Sequence, residues 1–329
     1  MGAFEIIFER AKQNPRRVAF PENTNEKILQ AINIAQERGF CIPYLIGDSA
    51  QIEEAAKAQN ISLEGKIIVN TNEESYVDSV VERYQKNNPF FSTKALKRKA
   101  RDPLYIALMM EAIGDVDCTF AGFTHTTAEV AFAGQSIIGM KPDVPFVTSV
   151  ALFSVEGFHG GENGMIVLGD PAYKTHPDSE ELATMAILAC DTVKSILGWE
   201  PRCALLSYST TGSGTGPHVD KVAQATKIAN ERRPDLIIDG ELQLDTAIDM
   251  EIANKKMTRE SQVAGKANIL IFPNIEAGNI GVKLIQQFAN ADAIMPIAMG
   301  FKMPVQDCSR GSSVEEMVGD IAISCLQVQ

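Results

Sequence analysis

Arg17–Ile46, RVAFPENTNEKILQAINIAQERGFCIPYLI, contains a complete strand, turn, helix and second strand. Arg17–Phe20 is a short strand, and Pro21-Glu22-Asn23-Thr24-Asn25 after it has the composition of a turn. Ile28, Leu29, Ile32 and Ala35 then recur on one face of a helix that Gly39 stops, and Cys41–Ile46 is the next strand. Two strands joined through a helix run parallel, because only a long crossover brings the chain back to the same edge. Repetition of that unit predicts an α/β fold, with mostly parallel sheets covered by helices on both faces.

The rhythm continues outward. Upstream, Met1–Lys12 reads as a short amphipathic helix with Phe4, Ile7, Phe8 and Ala11 on one face, ended by Pro15. Downstream come a helix over Ala50–Ala58, a strand at Ile67–Val69 and a helix carrying Val77, Val80, Val81 and Tyr84. Asp117–Gly122 is another strand. It leads into Phe123-Thr124-His125-Thr126-Thr127-Ala128-Glu129, where Thr126 and Glu129 form a capping box. Open α/β sheets bind ligands at the carboxyl ends of their strands, so Thr126 and Thr127 are candidates for a substrate wall. His125 reads as a hydrogen-bonded structural histidine rather than a base. Between residues 83 and 101 lies the one basic island, with Arg83, Lys86, Lys94, Lys97, Arg98, Lys99 and Arg101. Its two readings are a solvated helix face and a contact for phosphates.

The second half repeats the pattern. Met165–Leu168 is a strand, Asp178 caps a helix that Gly198 ends, and Cys203–Ser207 is the next strand. Ser209-Thr210-Thr211-Gly212-Ser213-Gly214-Thr215-Gly216-Pro217 follows it. Such a turn can offer backbone N–H groups to a phosphate, because glycine permits close approach and positive φ. It lacks the Lys-Ser/Thr of a nucleoside-triphosphate loop. Leu236–Ile238 and Ile269–Phe272 complete the strands.

Near the end, Met295–Val318 reads MPIAMGFKMPVQDCSRGSSVEEMV. Val314, Met317, Val318, Ile321 and Cys325 mark one helical face, with Ser313 as N-cap and Glu316 as its capping-box partner. The unpaired N–H groups and positive dipole of that helix start make Ser309-Arg310-Gly311-Ser312 an anion site. An arginine beside a helix N-terminus gains nothing from the dipole, so Arg310 needs an anion to justify it.

Pro304–Ser313 resembles the PV-x-D-x-SRG-x-S signature of phosphotransacetylases. Gly240–Asp245 is similar to the family's GELQ-x-D, Phe272–Ile280 to its FP-x-LEAGNI, and Ser207–Val222 to its SFST-x-GSA…VDKV segment. The four motifs are in register over essentially the whole chain. The resemblance implies two α/β/α three-layer domains with an interdomain cleft. It places domain I over 1–153 plus 294–329 and domain II over 154–293. The reaction it implies is acyl-CoA + phosphate = acyl phosphate + CoA, with acetyl as the leading acyl group. Alternatives are propionyl or butyryl transfer, or a catalytically weak acyl-CoA-binding regulatory module.

The resemblance also implies roles for residues. Ser309, Arg310 and Glu316 are the catalytic candidates, Glu316 standing where members carry an aspartate proposed as base. A carboxylate that accepts backbone hydrogen bonds is harder to protonate, so the capping role competes with the base role. Thr126, Thr127, Phe132, Thr211, Gly212, Ser213, Asn279 and Lys283 are the candidates for contacting substrate or CoA. Members read STADTLRPAL where this chain reads Thr126–Gly134, so Phe132 replaces an arginine. That change favours a longer or aromatic acyl group, or shifts the phosphate to another side chain. No metal and no cofactor beyond CoA as substrate is expected, and the family implies a homodimer.

Composition bounds these readings. At 329 residues the chain exceeds what one core usually supports. With 30 basic against 42 acidic residues, its net charge of −12 argues against nucleic acid or an anionic membrane as partner. Six cysteines fall singly with no CxxC, which predicts reduced thiols in a cytoplasmic protein rather than a disulfide framework. Four histidines disfavour a His-based metal centre. The N-terminus shows no signal peptide, and Met1-Gly2 is not followed by a myristoylation pattern, because Ile6 stands where Ser or Thr is wanted.

Overall fold

The computed structural model describes residues 4–328. The expectations for Met1–Ala3 therefore lie outside the described residues. By contact the chain divides into two compact units, one of residues up to Asp143 together with Phe301 onward, the other Val144–Gly300.

The first unit opens with α1 (Glu5–Lys12), β1 (Arg16–Phe20), α2 (Glu26–Glu37), β2 (Cys41–Gly47), α3 (Ser49–Ala58) and β3 (Ile67–Asn70). It continues with α4 (Glu74–Asn87), α5 (Thr93–Lys99), α6 (Pro103–Ala112), β4 (Cys118–Ala121) and α7 (Thr127–Ile137). The local causes are those read from sequence. Asn25 caps α2 by accepting from Lys27 N, Ile28, Leu29, Ile32 and Ala35 are buried, and Gly39 takes the left-handed φ of +83° that ends the segment. Thr126 and Glu129 form the predicted capping box at α7. The sequence reading misses α6. Leu104, Ile106, Ala107, Leu108, Met109 and Met110 in it are all buried, so no polar face gives a helical period away.

The second unit contains β5 (Thr148–Ser154), β6 (Met165–Gly169), α8 (Ser179–Leu197), β7 (Arg202–Leu206) and α9 (Pro217–Arg232). Next are β8 (Ile237–Leu242), α10 (Leu244–Ile248), α11 (Met250–Lys256), β9 (Ile269–Ile271), α12 (Ile275–Ala289) and β10 (Asp292–Met299). Its six strands run in the order β10-β5-β6-β9-β7-β8. The β6, β9, β7 and β8 neighbours pair in parallel, whereas β5 pairs antiparallel with both β10 and β6. That pairing places β5 and β10 wholly in this unit, so its limits fall at Val144 and Gly300 where the sequence reading had 154 and 293. Phe153, Ile166, Leu168, Leu206, Leu242, Leu270 and Val282 form its core on one side of the sheet.

The chain returns to the first unit as β11 (Val305–Asp307) and α13 (Val314–Gln327). β11 joins the edge of the first sheet, whose order is β11-β4-β1-β2-β3 with every neighbour parallel. α13 packs against α1 and α2, burying Met317, Val318, Ile321 and Cys325. All six cysteines are free and buried, and Cys118 is brought beside Cys325 and Cys190 beside Cys203. Among the described residues no helix is long and apolar enough to cross a membrane.

Candidate active site

Because the first sheet is wholly parallel, the turns after β11, β4 and β1 emerge together at its carboxyl edge. Gly122 lets two of them touch. At its φ of +104°, a Cβ there would lie 2.0 Å from Asp307 Oδ1 and 2.7 Å from Cys308 N. Cys308 N donates to Ala121 O at 2.9 Å, fixing the turn that follows.

That turn is Cys308–Ser313. Ser309 Oγ accepts from Gly311 N at 3.2 Å and Ser309 O from Ser312 N at 3.0 Å. Lys27 Nζ donates to Ser312 O at 3.3 Å, tying α2 to the loop. Ser309 and Arg310 are exposed, and the Arg310 guanidinium has no hydrogen bond or ion pair among the described residues. The capping box closes the loop: Glu316 Oε2 accepts from Ser313 N at 2.7 Å and Ser313 Oγ from Glu316 N at 3.2 Å. One oxygen of Glu316 is thus spent on the backbone. Cys308 is no rival nucleophile, since burial and the nearby Asp320 and Asp307 push its thiol well above the ordinary range.

Beside this loop, Glu22 from the turn after β1 and Asp102 from the start of α6 hold His125 between them. Their distances are 2.5 Å from Nδ1 to Glu22 and 3.2 Å from Nε2 to Asp102. The hydrogen bonds to Asp102 and Glu22 outweigh burial and raise the imidazole from 6.5 to about 10. Burial alone would raise Glu22, but the bonds from His125, Thr124 and the backbone hold it at about 2. His125 is therefore a hydrogen-bonded histidine, as its sequence reading has it, and a charged one. Its partners were not legible because Glu22 and Asp102 lie 103 and 23 residues away.

Thr126 spends its hydroxyl on the α7 cap, donating to Glu129 Oε2 at 2.9 Å, while Thr127 follows it at the helix start. Phe132 is 59% exposed. Lys99 Nζ stands 4.2 Å from the Tyr105 ring centroid and 5.4 Å from that of Phe132, so a cation accompanies the aromatic ring. Elsewhere in the basic island, Arg83 pairs with Asp115 and Lys97 with Asp78.

In the second unit the glycine-rich turn after β7 is organised around Glu241, a buried residue of β8. Glu241 Oε1 accepts from Ser209 Oγ at 2.9 Å and Gly212 N at 2.8 Å, and Glu241 O from Thr211 N at 3.3 Å. Gly214 N donates to Ser209 Oγ, Thr210 N to Ser213 Oγ and Ser213 N to Thr210 O. The expectation that this turn offers its N–H groups to a phosphate is corrected for 210–214: they are consumed inside the loop. Thr211 itself has a φ of +45° and a buried hydroxyl without a hydrogen-bond partner among the described residues.

Asn279 and Lys283 lie one turn apart on α12. Asn279 Nδ2 donates to Pro171 O at 3.1 Å, and its Oδ1 accepts from Lys283 Nζ at 3.0 Å. Before α8 the chain turns around Asp170, a buried carboxylate missed in the sequence. It accepts from Thr148 Oγ1, Ser149 Oγ and the N–H groups of Ala172, Tyr173 and Lys174. A Cβ at Gly278 would lie 2.5 Å from Asp170 O, so glycine is required there. Among the described residues no group of three or more His, Cys, Asp or Glu side chains could hold a metal ion.

The family model described as phosphate acetyl/butaryl transferase matches residues 3–325. The chain is 38% identical over 330 residues to a phosphate acetyltransferase of Thermoanaerobacterium thermosaccharolyticum, covering 100% of both. It is 38% identical over 331 residues to one of Clostridium acetobutylicum, covering 100% of this chain and 99% of that one. A crystal structure of a phosphotransacetylase from Streptococcus pyogenes superposes with a TM-score of 0.90 at 32% identity, covering 100% and 99% of the two chains.

Proposed function

This chain belongs to the phosphate acetyl/butaryl transferase family and is an acyltransferase working reversibly between coenzyme A and phosphate, and we propose that it carries acetyl at Ser309, Arg310 and Glu316. The observation that carries the site assignment is Arg310, an exposed guanidinium without a partner among the described residues, at the start of a capped helix. A fork-shaped cation in that position matches a phosphate or a developing oxyanion.

In the direction of acetyl-CoA formation, the CoA sulfur attacks the carbonyl carbon of acetyl phosphate. A C–S bond forms, the carbonyl electrons move to oxygen, and their return expels phosphate by breaking the C–O bond. A free thiol has a pKa of about 8.5, so a carboxylate that takes its proton raises the reactive fraction. The oxygen of Glu316 not bonded to Ser313 N supplies that acceptor. Arg310 and the Ser309 hydroxyl stabilise the oxyanion and the departing phosphate. The step balances without a metal, a redox cofactor or a covalent enzyme intermediate.

Thr126, Thr127 and Phe132 form the acyl and phosphate wall in this reading, and Lys99 supplies a positive charge beside Phe132. Of the second-unit candidates for CoA contact, Asn279 and Lys283 keep that role in this reading, while the N–H groups of Thr211, Gly212 and Ser213 are spent on Glu241 and Thr210. Assembly as a homodimer is supported by α12, where Ile280, Leu284 and Phe288 stand 59%, 49% and 83% exposed at four-residue spacing. A cytoplasmic location is supported by six free, buried cysteines.

The test is CoA-dependent consumption of acetyl, propionyl, butyryl and benzoyl phosphates. Fastest turnover of acetyl phosphate is expected. A preference for a longer acyl group would transfer the assignment to that group and make Phe132 its determinant. CoA binding without any turnover would replace catalysis by a binding role.

A further inference from the structure

The carboxyl edge of the first sheet carries an ion cluster that the acyl-transfer chemistry leaves unused. Its three members come from three loops: Glu22 after β1, Asp102 at the cap of α6, and His125 after β4. Glu22 does more than face the imidazole. It also accepts from Phe123 N at 2.6 Å, Thr124 Oγ1 at 2.8 Å and His125 N at 2.9 Å. One buried carboxylate thus fixes three successive residues of the segment that leads to Thr126 and Thr127.

That segment is pressed onto the β11 turn through Gly122, and Lys27, just beyond the Glu22 turn, reaches Ser312 O. The His125 ring is held between Glu22, whose turn leads to Lys27, and the Asp102 cap of α6, immediately before Thr126 and Thr127. We propose that His125 is a positioning residue for acyl transfer: its two N–H groups clamp Glu22 and Asp102 and hold the β4–α7 turn in register with the Ser309–Arg310 loop. This inference rests on placing the chemistry at that loop. His125 does not exchange a proton with substrate, because both ring nitrogens already donate to carboxylates. A neutral ring has one N–H for two carboxylates, so the clamp requires the imidazolium.

The charged and titratable groups that face the ring are Glu22, Asp102 and Glu129, with the Cys308 thiol beyond Glu22. In the intact protein Glu22 at about 2 and His125 at about 10 leave the cluster silent between those values. Removing either partner ends that silence in opposite directions. Without the cation, buried Glu22 and half-buried Asp102 take up a proton more readily; without the Glu22 charge, His125 releases its proton more readily.

The experiment measures kcat, KM for CoA and acetyl phosphate, thermal midpoint and the pH profile from about pH 5 to about 9 for wild type, His125→Ala, His125→Asn and Glu22→Gln. We expect His125→Ala to lose about tenfold or more in kcat with KM for CoA changed less than about twofold. Its profile should gain an acidic limb, and His125→Asn, which keeps a donor towards Glu22, should recover part of the rate. Glu22→Gln, which keeps the side chain's size, should gain a basic limb and keeps the test open should His125→Ala fail to fold. Folded variants with wild-type kcat, or a rate loss that follows the thermal midpoint with an unshifted profile and no recovery in His125→Asn, would overturn the clamp. A wild type inactive on every acyl phosphate would instead overturn the functional reading beneath it.

Discussion

Ser309-Arg310-Gly311-Ser312-Ser313 and Ser209-Thr210-Thr211-Gly212-Ser213-Gly214 each join the carboxyl end of a parallel strand to a helix, and both are rich in serine and glycine. Their hydrogen bonding differs. In the second loop, Glu241 and the Ser209 and Ser213 hydroxyls absorb the N–H groups of Thr210, Gly212 and Gly214. In the first, serine hydroxyls satisfy Gly311 N and Glu316 N, and the Arg310 guanidinium has no partner among the described residues. A buried carboxylate at the end of the neighbouring strand turns a loop that could grip an anion into one that holds its own shape. A loop with an unspent cation keeps its binding energy for a substrate.

The largest effect should come from Arg310→Ala, with kcat/KM falling about 10²–10³-fold, as when a stabilising donor is removed from a developing oxyanion. Its thermal midpoint should stay near wild type, because no protein contact is lost. Steady-state kinetics and calorimetry on the same preparation check both halves, and a cold-stable but fully active variant would erase the contrast between the loops. Glu241→Ala is the mirror image. It leaves the Ser209 hydroxyl and Gly212 N–H without their acceptor and should cost about 2–4 kcal/mol of unfolding free energy in urea titration.

Glu316→Gln keeps an acceptor for Ser313 N and removes the base, so kcat should fall by about tenfold to a hundredfold with stability preserved. Unchanged kcat would leave Glu316 only its cap, which is worth about 1 kcal/mol. The mildest effect is on stability against pH. Glu22 contributes fully above 4.5 and loses its contribution as pH falls through about 2; His125 contributes fully below 6.5 and loses it as pH rises through about 10. Thermal midpoints should therefore be highest between 4.5 and 6.5 as far as this cluster is concerned, and Glu22→Gln should flatten the acid side.

What sequence could reveal follows the same division. Capping boxes at Thr126 and Ser313 were legible because their partners lie three residues away, and the cap at Asp178 was legible from its place before an apolar helical face. The helices of α2 and α13 were legible from the spacing of their apolar faces. The strands β5 and β10 escaped, since each is buried nearly throughout and shows no alternation, and their pairing joins segments about 140 residues apart. Arg310 was found because its charge stands beside a recognisable helix start. The roles of Glu22, Glu241 and Asp170 were not read because their partners come from other strands and turns, and a lone Glu or Asp carries no local sign of burial. Composition promised an anion loop at 209–214, and only the position of Glu241 shows where those N–H groups go.

The role of Arg310 is measured most directly by the rate of acetyl-CoA formation from acetyl phosphate and CoA by Arg310→Ala, with and without guanidinium ion in solution. A rate at least about a hundredfold below wild type, partly restored by free guanidinium, is expected, because what was lost is a cation at a fixed place. Turnover by Arg310→Ala equal to wild type, without guanidinium, would contradict that role.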